Sequence, residues 1–314
     1  MFSAMEIINA IAPVFLLILL GKGLEHLRFF PENFLDQLNR FVYYLALPAL
    51  LVSRISQAQF EFGTTVRMVS LFFIATLLTL SIAWLLGRAQ RLTPAKAGAF
   101  MQGSFRGNGV FVGLPIILYA TGTLNSDAEQ LASVMIAPIV IIFNLLAVTV
   151  LLQCGSLARS QGHPAAFLIR HLFKNPMIIS CLIGLLINQI GVPLPPLILR
   201  PMDLLGSAAL PLILISIGAT LDLDGLRATA APTVIASVLK VIATPLIGLL
   251  LIAPFQLTPT QAIVTLIFLG VPTAGTSYVM AEVLGCDAPL AGRIIALSTL
   301  LSFFTLPWLI ALGI

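Results

Sequence analysis

The sequence predicts an all-α integral membrane protein of ten transmembrane helices, built as two inverted five-helix repeats with helices 4 and 9 broken where they cross. Three observations predict it: a chain too apolar to clothe itself in polar surface, an internal echo at a register of about 163 residues, and two Gly/Pro-interrupted stretches at corresponding places in the two halves.

Of the 314 residues, 59% are hydrophobic and only 9% charged, against roughly a quarter charged in an ordinary soluble domain. Runs free of Asp, Glu, Lys and Arg cover 7–21, 68–87, 107–126, 130–158, 175–199, 204–221, 241–281 and 294–314. Most are long enough for the ~20 residues that cross the hydrocarbon core, so the lipid bilayer is the expected solvent. Residues 1–21 carry neither a basic n-region nor a small-residue cleavage site and read as a mature first helix rather than a secretory signal. The pI near 9.2 does not announce nucleic acid, because the basic residues form no patch with interleaved aromatics.

Taken in order, helix 1 spans 7–24. Helix 2, over 36–54, is the shortest apolar stretch, with 13 residues between Arg40 and Arg54, and snorkelling of both side chains extends it to the interfaces. Helix 3 (66–88) holds the charge-free run that ends at Arg88, helix 4 (95–121) follows Leu92-Thr93-Pro94, and helix 5 spans 128–153. A cytoplasmic linker over 154–164, rich in Gly and Ser, separates the first repeat (1–153) from the second (165–314). Helices 6 to 10 follow at 165–190, 197–221, 229–252, 260–284 and 290–313.

The echo is specific. Pro13 and Gly21 map onto Pro176 and Gly184, Ala46-Leu47-Pro48 maps onto Ala209-Leu210-Pro211, and Leu92-Thr93-Pro94 maps, with a slip of two, onto Leu257-Thr258-Pro259. Five spans per repeat is an odd number, so the second copy enters from the opposite side and the repeat is inverted, a recurrent transporter architecture. Loops after the odd-numbered helices, with the adjoining helix ends, carry eleven Lys and Arg, and the other side carries three (Arg54, Arg67, Arg200). The positive-inside asymmetry therefore puts both termini on the non-cytoplasmic side of the cytoplasmic membrane.

Helix 4 reads Gly103-Ser104-Phe105-Arg106-Gly107-Asn108-Gly109-Val110-Phe111-Val112-Gly113-Leu114-Pro115, and helix 9 carries Gly270-Val271-Pro272-Thr273-Ala274-Gly275-Thr276-Ser277-Tyr278. Interrupted helices leave backbone groups unpaired, which is tolerated at membrane depth only inside protein or beside a water-lined cavity. Asn108 lies twelve residues past Lys96, hence about 18 Å into the bilayer. Paired breaks of this kind point to a binding site whose half-helix N-termini suit an anion. Gly107, Asn108, Gly109, Thr273, Gly275, Thr276 and Ser277 are the candidate substrate contacts, with Gly113, Pro115 and Pro272 breaking the helices. The bland reading, glycines for close packing and prolines for kinks, accounts for one break more easily than for a related pair.

Two basic residues fall inside spans, Lys240 in helix 8 and Arg106 beside the helix 4 break. A charge at the bilayer centre costs about 2.5–3.5 kcal/mol or more unless paired or hydrated, so each is a functional candidate, with snorkelling as the alternative. Lys240 either neutralises a substrate or balances helix-end carbonyls. No Asp or Glu occupies the centre of a span, which argues against cation antiport, while H+ or Na+ stays open as a coupling ion because backbone carbonyls can hold sodium. Cys154, Cys181 and Cys286 are far apart, His26, His163 and His171 lack ligand spacing, and no HExxH, GxSxG or GxxxxGK[ST] occurs. No metal, cofactor or enzymatic activity is therefore expected.

These residues carry a family resemblance. Asn39-Arg40-Phe41-Val42 with Ala46-x-Pro48, and Asn108-Gly109-Val110-Phe111-Val112-Gly113-Leu114-Pro115, resemble motifs of the auxin efflux carrier family, which includes plant PIN carriers and bacterial malonate permease-like proteins. Lys240 five residues before Pro245, and Glu282 after the helix 9 break, are similar to further family positions. The resemblance implies a fold like that of bile-acid symporters and sodium/proton antiporters, with helices 1, 2, 6 and 7 as a dimerising scaffold and 3–5 with 8–10 as a moving transport domain. The link after helix 5 departs from the long hydrophilic loop of many plant members. The expected function is secondary transport of a small organic anion, a mono- or dicarboxylate, by an elevator motion. The rival readings are sodium-coupled symport of another small solute and a membrane receptor that senses a ligand without moving it.

Overall fold

A computed structural model describes residues 4–31, 33–58, 61–121, 126–155, 174–191, 193–221 and 231–312. Among these residues the chain is helical without strands, and five helices are long and apolar enough to cross a membrane. In order they are α1 (Ala4–His26), α2 (Phe34–Phe41), α3 (Leu47–Gln57), α4 (Phe62–Ala89), α5 (Pro94–Phe105), α6 (Leu114–Thr121), α7 (Ser126–Cys154), α8 (Pro176–Ile190), α9 (Pro196–Ala219), α10 (Ala231–Val238), α11 (Thr244–Phe255), α12 (Pro259–Gly270), α13 (Thr276–Val283) and α14 (Ala288–Ala311).

Of the span expected over 165–190, residues 165–173 lie outside the described residues, and the described helix begins at Pro176. A proline disfavours helical backbone in the residue before it, and Asn175 sits extended there as the N-cap, its side-chain oxygen accepting from the Met177 N–H at 2.9 Å. Nearly all of the expected linker, residues 156–164, lies outside the described residues.

One local rule, not visible as helical periodicity, shapes three of the spans. Wide π-helical turns occupy Val42–Ala46, Gly109–Gly113 and Leu239–Ala243, joining α2 to α3, leading into α6, and joining α10 to α11. Each ends two residues before a proline: Pro48, Pro115 and Pro245. In each, the residue just before the proline (Leu47, Leu114, Thr244) donates its N–H five residues back, to Val42, Gly109 and Leu239. Proline has no N–H to donate and crowds the carbonyl four residues behind it; admitting one extra residue to the turn relieves that crowding locally.

Helix α1 packs on α9, α9 on α3 and α3 on α8, while α5 packs against α4, α7, α10 and α14, with α12 and α13 also on α14. The contacts in the first group are backbone-close. A Cβ on Gly21 would fall 2.0 Å from the Ile215 carbonyl oxygen, one on Gly218 1.8 Å from that of Ile18, and one on Gly184 2.9 Å from Ile55 Cβ. Small residues let membrane helices approach in this way. The largest fully buried side chains of the second group, Phe72, Phe100, Phe105 and Phe268, fill the interior around the helix breaks, and Phe72 meets Phe143 edge-on at 5.2 Å. Leu19, Leu186, Leu250 and Phe304 are exposed on the outer surface, as lipid contact requires.

Replacing Gly218 by Ala forces α1 and α9 apart and is expected to cost about 1–3 kcal/mol. The check is the thermal unfolding midpoint in detergent, which falls for Gly218→Ala and does not fall for Gly23→Ala, where nothing lies within 4 Å of the added Cβ.

Candidate functional site

Two helices stop in the interior and their ends meet. The last helical bond of α5 runs from the Arg106 N–H to Gln102 O at 3.0 Å, and that of α12 from the Val271 N–H to Ile267 O at 3.0 Å. Between these ends the chain is extended, and Gly107 faces Thr273 in an isolated antiparallel bridge. The Asn108 N–H donates to Pro272 O at 2.8 Å and the Ala274 N–H to Arg106 O at 3.0 Å. Groups that the interruption takes out of the helices are thus paired with each other, as burial demands.

The sequence dictates this locally. Val271, ahead of Pro272, is extended at φ −60 and ψ 150, the backbone a pre-proline residue prefers. Gly107 leaves room for the crossing chain and the side chain behind it, since a Cβ there would lie 2.7 Å from Val271 Cγ2 and 3.0 Å from Lys240 Cε.

Helix C-termini leave carbonyls without partners, and here two buried side chains take them. Thr273 Oγ1 donates to Gly103 O at 2.7 Å, and Lys240 Nζ donates to Leu269 O. Each of these carbonyls lies four residues before a bridge residue, Gly107 or Thr273, whose displacement from the helix left it free. Lys240 is fully buried and puts a positive charge at the negative end of α12. Of the two roles open to it from sequence, this contact is the helix-end one.

Beside the crossing lies a cavity of about 260 Å³, near the lower end of the ~300–1,000 Å³ typical of small-molecule sites. Its polar lining comes from Tyr43, Arg106, Asn108, Asn144, Asn175 and Thr276, and its apolar wall from residues of α7, α13 and the Gly109–Gly113 turn. Of the expected contacts, Gly107, Asn108, Gly109, Gly275 and Thr276 line it. Thr273, Ser277 and Lys240 are buried outside its lining, as are the helix-breaking Gly113 and Pro115. Pro272 offers its carbonyl to Asn108. Asn108 also caps the turn that follows, accepting from the Phe111 N–H at 3.3 Å.

Tyr43, Asn144 and Asn175 join the site without having been expected there. Their sequence signals are weak: Tyr43 sits five residues before Pro48, Asn144 is an amide in the middle of a charge-free run, and Asn175 precedes a proline. Arg106 reaches across the cavity and is only 6% exposed. Its Nη2 donates to Asn144 Oδ1 at 3.1 Å and its Nη1 points at Met280 Sδ.

Two interrupted helices, paired through their backbones beside a small cavity in an apolar helical chain, are the arrangement of a membrane carrier. The chain belongs to the membrane transport protein family, that of the auxin efflux carriers, whose family model matches residues 6–310; it is a transporter and not an enzyme. It is 25% identical over 306 residues to an "Uncharacterized transporter" of Methanothermobacter thermautotrophicus, covering 97% of this chain and 98% of that protein. A similar protein of Methanocaldococcus jannaschii, also named an uncharacterized transporter, is 25% identical over 301 residues, covering 93% and 94%. A "Putative malonate transporter" of Rhizobium meliloti is 27% identical over 314 residues, covering 98% and 96%.

Thr273→Val keeps the shape but leaves the Gly103 carbonyl without its side-chain donor. Denaturation in mild detergent should register a loss of about 1–3 kcal/mol, whereas Thr149→Val, on an exposed face where the hydroxyl bonds only within its own helix, should change stability by less than about 0.5 kcal/mol.

Proposed function

We propose that this protein is a secondary active transporter of a small organic anion, a mono- or dicarboxylate, across the cytoplasmic membrane by an elevator-type alternating-access motion. The observation that carries the proposal is the crossing itself: two half-helices restart at Asn108 and at Thr276 beside a cavity with no acidic residue among the described residues of its lining. Helix starts present free N–H groups and positive dipole ends, which favour a carboxylate and disfavour a cation. The malonate in the name of the Rhizobium meliloti relative makes malonate the first substrate to try.

The proposed architecture is two inverted five-helix repeats. Helix 1 packs on helix 7 through Gly21 and Gly218, and helix 6 packs on helix 2 through Gly184, the exchanged pairing expected of such repeats. The packing of α1 on α9, α9 on α3 and α3 on α8 supports a scaffold of helices 1, 2, 6 and 7 through which the protein forms a homodimer; helices 3–5 and 8–10 form the transport domain. The cavity runs from the crossing to Asn175 and Leu284. By the positive-inside reading these residues lie toward the cytoplasm and both termini on the other side, so the conformation described is inward-facing. H+ or Na+ supplies the coupling.

The test is uptake and counterflow of radiolabelled malonate in proteoliposomes. Wild type moves the label, and Asn108→Ala, which loses both a cavity contact and the cap on the restarting helix, slows it about tenfold or more. A wild type that moves neither malonate nor any other small carboxylate refutes the anion assignment; an unimpaired Asn108→Ala removes that residue from the site.

A further inference from the structure

The protein holds two buried cations at the crossing, and they are not equivalent. The Lys240 ammonium is engaged by the Leu269 carbonyl at a helix end and lies outside the cavity lining. Arg106 is the one charged side chain in that lining among the described residues. No carboxylate among the described residues lies within ion-pair distance of it; the ion pairs found there, Lys22 with Glu25 and Arg54 with Glu129, are elsewhere.

A guanidinium offers five N–H donors in a rigid planar fork. Here its hydrogen-bond acceptors are the Asn144 amide oxygen and the Met280 thioether. A neutral amide does not balance the charge and a thioether is a weak acceptor. Burying a charge without an ionic partner is unfavourable unless a partner arrives. The group that fits the fork is a carboxylate, which accepts two parallel N–H bonds.

Resting on the anion-transport reading above, we propose that Arg106 is the charge partner of the transported acid, binding one carboxylate through its guanidinium fork in place of the Met280 thioether. Asn144 is the positioning residue: its Nδ2 donates to Val140 O at 2.7 Å, which turns its oxygen toward Nη2 and holds the guanidinium plane against α7. The Arg106 carbonyl accepts from the Ala274 N–H, so an acid held at this side chain is attached to the backbone crossing itself. The apolar wall of Val110, Phe111, Val140, Phe143 and Val279 leaves the carboxylate as the recognised group and tolerates a short carbon stem.

The experiment is calorimetric titration of the purified full-length protein with malonate and with its neutral diamide, alongside counterflow in proteoliposomes. Wild type binds malonate and not the diamide. Arg106→Gln weakens malonate binding at least about 30-fold and erases the preference over the diamide. Arg106→Lys, which keeps the charge and loses the fork, gives an intermediate loss and serves as the readout if the Gln variant does not fold. Asn144→Ala weakens binding less, and in that background Arg106→Lys has a reduced further effect, a non-additivity that a merely structural Asn144 would not produce. A folded Arg106→Gln protein that binds malonate within about twofold of wild type overturns this assignment alone. A wild type that neither binds nor exchanges any small carboxylate overturns the anion reading, and this assignment with it.

Discussion

The architecture turns on a pair of hydrogen bonds between two short extended stretches buried inside a helical protein. Breaking a helix in an apolar environment exposes N–H and C=O groups that have no water to turn to. Gly107 and Thr273 resolve the problem mutually, each stretch supplying the partners the other lacks. Because the pairing is backbone to backbone, it fixes where α5 and α12 end and where the Gly109–Gly113 turn and α13 can begin. The backbones of the lining residues Arg106 and Asn108 are placed by it, and Asn144 then orients the Arg106 side chain.

What the backbone bridge cannot satisfy is handled by side chains, that of Thr273 in the bridge itself and that of Lys240 from another helix. The two leftover carbonyls are matched differently, one by a neutral hydroxyl and the other by an ammonium. The arrangement is therefore electrically lopsided although the backbone pairing is reciprocal. Removing Lys240 or Thr273 would leave an acceptor stranded in the interior, which is more costly than the bond itself is stabilising.

The interruptions were legible in the sequence because glycine and proline act through backbone sterics alone, and the four glycines and one proline of the helix 4 motif do not sustain an unbroken helix. The π-turns were not legible, although a proline two residues beyond marks each of them, because hydrophobic periodicity does not register one additional residue per turn. Side-chain destinations were legible only in part. Asn108 and Thr276 reach the cavity, but Thr273 and Ser277, of similar chemistry and a few residues away, turn into protein instead. Which way a short polar side chain points depends on whether its residue is extended or helical, and that changes within three residues here. For Arg106, sequence could not separate snorkelling from a cavity position, since the Asn144 that orients it comes from a helix 38 residues on.

The π-turn at Val42–Ala46 has a consequence for chain length as well as composition. Relative to an ordinary α-helix it holds a supernumerary residue, absorbed by widening the turn just ahead of Pro48. A single deletion in the turn would remove that residue and bring Pro48 back against the carbonyl four residues behind it. Identity of the amino acids in this segment is thus negotiable in a way that their number is not.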